Sequence, residues 1–310
     1  MAFWEAAYAR PVEERIGAAP PALVEYLVLD TIAQGIPARP RTPTLTPEFE
    51  AEVRAAFTEL PAPVRRLASA RLAGIYFIED IGGTGFTDQV MDADGKTPAG
   101  AFVVLDPKVL QQRSANAWAT WKENSPFAPA AGVTLAAHIE DAAGDTRRNA
   151  IQFILLHELG HVISVGRNFH PSWTEPPHPV KEGEFPYFDL SWRFDPAAKS
   201  YVSRFDAQFP QRSKVVYYFG ARLSGAAMAG TYERLERTNF PTLYAGTRPG
   251  DDFAEGFATY VHVVLMHRPF EIVVAHGGKP VVRFGSCWTD ARCAAKREFF
   301  DRLFAAAPPT

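Results

Sequence analysis

The sequence has little cysteine: Cys287 and Cys293 are the only two in 310 residues. Two thiols cannot by themselves close a four-ligand structural zinc site. They sit six apart near the C-terminus, as either a disulfide or two reduced thiols on a loop beside a helix. Long apolar runs are also lacking. None approaches the roughly 20 residues that cross a bilayer as a helix, which argues against an integral membrane segment. Charge of one sign is missing too: the formal net charge is −3 and the basic residues are scattered along the chain. No electrostatic footprint for nucleic acid or an anionic membrane follows from that. The start, Met1-Ala2-Phe3-Trp4-Glu5, has neither the basic residues nor the apolar stretch of a signal peptide. The expected place is therefore the cytoplasm. A periplasmic or secreted protein is the alternative if a leader was removed, and a Cys287–Cys293 disulfide would suit that oxidising setting.

What is present is an ordinary globular composition, 47% apolar and 22% charged, with proline abundant at 26 residues. Residues 1–70 read as an N-terminal helical region broken by proline. Val24 to Ile32 is one helix. A second opens at Thr46, an N-cap, with Pro47 in its first position, and a third covers 64–72. Strands follow at 74–78 and 101–105, with Asp92-Ala93-Asp94-Gly95 between them as a hairpin turn. Trp118 and Trp121 mark a helix over 114–123, and 133–140 is a third strand. A long helix runs from about Arg147 to Val165, capped by Asp145 or Thr146 and stopped by Gly166. Residues 167–213 are rich in aromatics and proline and read as an ordered covering loop. Helices at 223–237 and from Asp251 or Asp252 to Met266, a strand at 271–274 and a helix from Ala291 to Phe304 complete the chain. The expected fold class is α+β, with residues 71–310 as one catalytic domain.

The chemistry sits in Ile151-Gln152-Phe153-Ile154-Leu155-Leu156-His157-Glu158-Leu159-Gly160-His161-Val162-Ile163. This helix is apolar on nearly all sides and is expected to be buried. Ionisable groups inside it need compensation, because an unpartnered buried charge costs several kcal/mol. His157 and His161 are i and i+4, so both imidazoles leave one face and can share one metal ion. Glu158 lies about 100° around the helix, where a general base for a metal-activated water belongs. A catalytic zinc needs a third protein ligand and an open position. The short three-histidine extension is absent, since Ser164 and Arg167 stand where its glycine and histidine would be. The strongest distant offer is Glu255, in Asp251-Asp252-Phe253-Ala254-Glu255-Gly256-Phe257-Ala258. It is flanked by small residues that allow close helix packing, while Asp251 and Asp252 already suit the helix dipole.

His157-Glu158-Leu159-Gly160-His161 followed by a distant Asp-Phe-Ala-Glu-x-Phe-Ala helix resembles the gluzincin zinc metallopeptidases. It is most similar to anthrax-lethal-factor-like and related bacterial metallopeptidases. The resemblance covers about residues 74–270 and is weak outside the two helices. It implies a zincin-like fold, with a small mixed sheet packed on the motif helix and the second, glutamate-bearing helix across it. It implies one zinc ion held by His157, His161 and Glu255, with Glu158 as base and a peptide or protein as substrate. The group tends to place a tyrosine shortly before the glutamate helix to stabilise the oxyanion, and Tyr244 is the match. The ligand spacing is far longer than in thermolysin, so no thermolysin-like substrate preference carries over.

Tyr217, Tyr218 and Tyr232 compete with Tyr244 for the oxyanion role. Asp252, Thr259 and His262 are candidates for bonding a liganding histidine, against capping for Asp252 and a satisfied core position for His262. The strand at 133–140 is expected at a sheet edge lining the cleft, where an extended substrate can pair with it. The rival to the peptidase is a non-catalytic zincin-fold protein that binds metal or a partner. The retained Glu158 argues against it.

Overall fold

A computed structural model describes residues 2–33 and 35–306. Met1, Gln34 and 307–310, which the expected domain ranges include, lie outside the described residues. The chain divides into two compact units, one of residues 1–114 with 146–166, the other of 115–145 with 167–310. The expected N-terminal helical region thus shares a unit with the first strands of the expected catalytic domain and with the HExxH helix. The structure is mixed α and β with small sheets. Among the described residues no helix is long and apolar enough to cross a membrane.

The first unit carries a four-stranded sheet of β1 (Ile16–Ala18), β2 (Leu72–Phe77), β3 (Gly85–Met91) and β4 (Pro98–Leu105), in the order β1-β2-β4-β3. β1, β2 and β4 run parallel and β3 is antiparallel to β4. This corrects the hairpin expected between 74–78 and 101–105. The turn at 92–95 joins β3 to β4, and Gly95 supplies its positive φ of 71°. β3 escaped notice because its sequence, Gly-Phe-Thr-Asp-Gln-Val-Met, begins inside a glycine cluster and alternates poorly.

The HExxH helix spans Arg147–Ser164 and starts as expected: Thr146 Oγ1 accepts from the Asn149 backbone N–H at 3.2 Å. Gly166 stops it at φ 64°, where a Cβ would also meet Arg71 Nη1 at 2.9 Å. The helix Pro47–Thr58 packs against it, capped by Thr46. Gln152 Nε2 donates to Ala56 O at 2.9 Å, and Arg147 pairs with Glu52 at 2.6 Å. Leu155, Leu156 and Leu159 are fully buried. Truncating any of them to alanine costs about 2–5 kcal/mol, so packing holds this helix rigid.

The second unit is built on a three-stranded antiparallel sheet. β5 (Phe127–Ala128) pairs elsewhere, with β9 (Leu223–Ser224). β6 (Val133–His138) is an edge of the three-stranded sheet, next to β10 (Glu271–His276) and β11 (Lys279–Gly285). The open side of β6 is covered by the helix Ala115–Asn124. Thr120 Oγ1 accepts from Ala137 N, Asn116 Oδ1 accepts from Ile139 N and Glu140 N, and Asn124 Nδ2 donates to Leu135 O. Those groups are the ones a substrate strand would need, so the expected pairing along 133–140 is overturned. The segment 167–213 is more than a loop. It holds the hairpin β7 (Trp192–Asp195) and β8 (Ser200–Ser203), with Tyr187, Phe188 and Trp192 buried.

The glutamate helix is Pro249–Tyr260, with Arg248 as N-cap and Pro249 in its first position. Asp251 and Asp252 therefore lie in the first turn rather than capping it. From Val261 to Leu265 the winding widens to a π-helix. Gly256 is required by a close approach, since a Cβ there would meet Tyr187 Oη at 2.2 Å and Phe300 at 3.2 Å. Cys287 and Cys293 form a disulfide, both sulfurs in buried residues.

Candidate metal and catalytic site

The first unit brings His157, Glu158 and His161 together on one helix. The Nε2 atoms of the two histidines stand 3.3 Å apart, with their rings 78° to one another. Two imidazole nitrogens bound at about 2.0–2.1 Å to one tetrahedral zinc are held roughly 3.3–3.4 Å apart by the geometry alone. Neutral rings this close can share one proton, in which case only one lone pair faces the gap. A cation between them lets both rings offer lone pairs. The donor set thus fits a metal. Within either unit by itself, the described residues bring no third His, Cys, Asp or Glu to this pair.

Glu158 is buried, and Thr87 Oγ1 donates to its Oε2 at 2.7 Å while lying 3.2 Å from its backbone carbonyl. Thr87 belongs to β3, the edge strand of its sheet. One hydroxyl therefore fixes the rotamer of the carboxylate. Thr87 had no signature in the sequence, because a threonine in a strand is ordinary until its partner is known.

In the second unit Glu255 is 1% exposed. Its Oε1 takes Lys122 Nζ at 2.8 Å and its Oε2 accepts from Thr242 Oγ1 at 2.6 Å. Burial pulls the Lys122 ammonium toward deprotonation, but Glu255 and Glu123 outweigh it and raise its pKa. Both oxygens of the expected ligand are thus engaged by groups of its own unit. Asp251, one helical turn earlier, is half-buried and accepts from Thr247 Oγ1 at 2.9 Å.

Asp252 is fully buried and ion-paired with Lys296, with Trp192 Nε1 donating to its Oδ2 at 3.0 Å. Burial raises its pKa against the pull of Lys296. Thr259 Oγ1 donates back to Glu255 O at 2.7 Å within the helix. His262 Nε2 lies 2.7 Å from Ile139 O and 3.1 Å from Pro269 O, and burial lowers its pKa to about 4. These contacts describe an internal ion pair, a helix back-bond and a neutral core histidine.

Tyr244 opens a short 3-10 turn, Tyr244–Gly246, and is half-buried. Its ring lies 4.7 Å from that of Tyr217 and 4.8 Å from Lys122 Nζ. Two of its competitors are committed elsewhere. Tyr217 and Tyr232 are buried and donate to Glu123 Oε2 at 2.9 and 2.7 Å. Burial and the neighbouring Glu123 push both phenols well above their ordinary pKa. No family model, no curated protein and no solved structure matches the chain.

Proposed function

We propose that the protein is a zinc-dependent peptidase, and that His157 and His161 hold the ion. The observation that carries this reading is the 3.3 Å convergence of two imidazole nitrogens beside a buried carboxylate fixed by Thr87. Glu255, the third ligand that the resemblance implies, is paired with Lys122 and bonded by Thr242 within its own unit. Withdrawing Glu255 would strand a buried ammonium, a loss of about 3–5 kcal/mol.

When bound, zinc supplies Lewis acidity and lowers the pKa of a water. The protein's own residues do the rest. Glu158 takes the proton of the attacking water and hands it to the leaving amine. Thr87 holds Oε2, so proton transfer falls to Oε1. Tyr244 donates its phenol to the developing oxyanion. An extended substrate pairs with β3, the edge strand that carries Thr87, rather than with the covered β6. The Cys287–Cys293 bond suits action in an oxidising compartment.

The test measures zinc stoichiometry and then hydrolysis of a mixed peptide library by wild type and Glu158→Gln. One zinc per chain is expected, with cleavage lost in Glu158→Gln while the metal is retained. Stoichiometric zinc without cleavage under any condition would sink the peptidase. Unchanged zinc content in His157→Ala would sink the metal site. Glu255→Gln is expected to keep zinc. Loss of zinc in Glu255→Gln restores Glu255 as ligand.

A further inference from the structure

The Lys122–Glu255 pair lies in the core of the second unit, each side chain at most 6% exposed. Such a pair gives little stability over two apolar side chains of the same size, because desolvation cancels most of the attraction. Its polar atoms therefore call for another use, and each of them leads to Tyr244. Glu255 Oε2 accepts from Thr242 Oγ1, and the same Thr242 oxygen accepts from the Ala245 N–H at 3.1 Å. That ties the backbone on both sides of Tyr244 to the glutamate helix. Glu255 Oε1 fixes Lys122, whose ammonium lies 4.8 Å from the centre of the Tyr244 ring. Tyr217 flanks the same ring at 4.7 Å and is itself held by its hydroxyl on Glu123, 3.8 Å from Lys122.

We propose that Glu255 and Lys122 form a buried mount that positions the Tyr244 phenol, with Lys122 acting on the ring and Glu255 on its backbone through Thr242. The functional meaning rests on the peptidase reading, in which Tyr244 meets the oxyanion. The mount itself is a property of the second unit alone. A phenol held by a cation, a neighbouring ring and an anchored turn is fixed before substrate arrives, which is what makes a donor effective. Lys122 and Glu255 are positioning residues, since neither touches substrate in this scheme.

The experiment uses the full chain with 3-fluorotyrosine in place of tyrosine, read by fluorine NMR. The Tyr244 resonance is assigned by its disappearance in Tyr244→Phe. Lys122→Met is expected to move and broaden that resonance by more than its wild-type linewidth, and Lys122→Arg to return it. Lys122→Met leaves two buried carboxylates without their cation, which can unfold the unit. The paired variant Lys122→Met/Glu255→Met removes the charge imbalance and is expected to show the same displaced resonance in a folded chain. Zinc content stays at the wild-type value in Lys122→Arg and Glu255→Gln. On the peptide library, kcat falls roughly tenfold in the Lys122→Met variants with KM held, less than the 10²–10³ typical of losing an oxyanion donor outright, and Lys122→Arg recovers it. An unmoved resonance in both methionine variants overturns the mount, and so does loss of zinc in Glu255→Gln. Absence of cleavage by the wild type would overturn the peptidase alone, because the fluorine measurement needs no substrate.

Discussion

Glu158 and Thr87 show how much of a site is decided by one hydroxyl. A carboxylate acting as base must present one oxygen in one direction, and the 2.7 Å bond from Thr87 selects that direction. Thr87→Val keeps the shape of the strand and removes the donor. Hydrolysis is expected to fall about tenfold, the effect of a loosened general base whose full contribution is 10²–10⁴, with zinc content unchanged by metal analysis. His262 gives a prediction in pH. Its folded pKa of about 4 lies below the ordinary 6.5 because burial disfavours the imidazolium. The unfolded chain therefore binds a proton at this site between those values and the folded chain does not. Stability from this residue is complete above about pH 6.5 and is lost as pH falls toward 4, by about 3 kcal/mol in total. Denaturant midpoints of His262→Gln are expected to fall less steeply over that window than those of wild type. Equal slopes would remove His262 as a source of acid sensitivity.

At the scale of elements, the two helices differ in how openly the sequence announces them. The HExxH helix was legible from end to end. Thr146, the apolar run and Gly166 mark its start, body and stop, and each acts locally. Thr146→Ala is expected to lower stability by about 1 kcal/mol through loss of the cap, measurable by thermal unfolding. The glutamate helix was legible as a helix but not in its pairing. Glu255 carried the residue type and surroundings of a ligand, yet its partner Lys122 is 133 residues earlier on another element. Nothing in a local window pairs them. The strands divide in the same way. The segments at 74–78 and 101–105 were evident from β-branched and aromatic residues. Their parallel pairing was not, because the intervening β3 takes the hairpin with β4 and leaves β2 on the other side. β6 is an edge, as its sequence suggests, but its closure depends on Asn116, Thr120 and Asn124 facing it from a helix.

In the molecule as a whole, the chain passes between its two units three times, after residues 114, 145 and 166. The segment 146–166 joins residues far before it, which no composition shift at residue 70 could indicate. The disulfide lies wholly in the second unit, where the six-residue spacing closes a short loop before the last helix. Replacing both cysteines with serine is expected to lower stability by about 2 kcal/mol, the loop-entropy value for so short a closure. Calorimetry of that variant checks it, and an unchanged unfolding temperature would show the bond to be stabilising nothing. Sequence alone is enough for the motif helix, its stop at Gly166 and the register of His157, Glu158 and His161, and it narrows the N-cap to Asp145 or Thr146, because these depend on neighbours within a few turns. The folded chain adds that the two imidazole nitrogens converge to 3.3 Å, that Thr87 bonds the Glu158 carboxylate, and that Glu255 pairs with Lys122. Those outcomes depend on which distant side chains share a buried space, and there an ion must find its counter-ion wherever the fold supplies one.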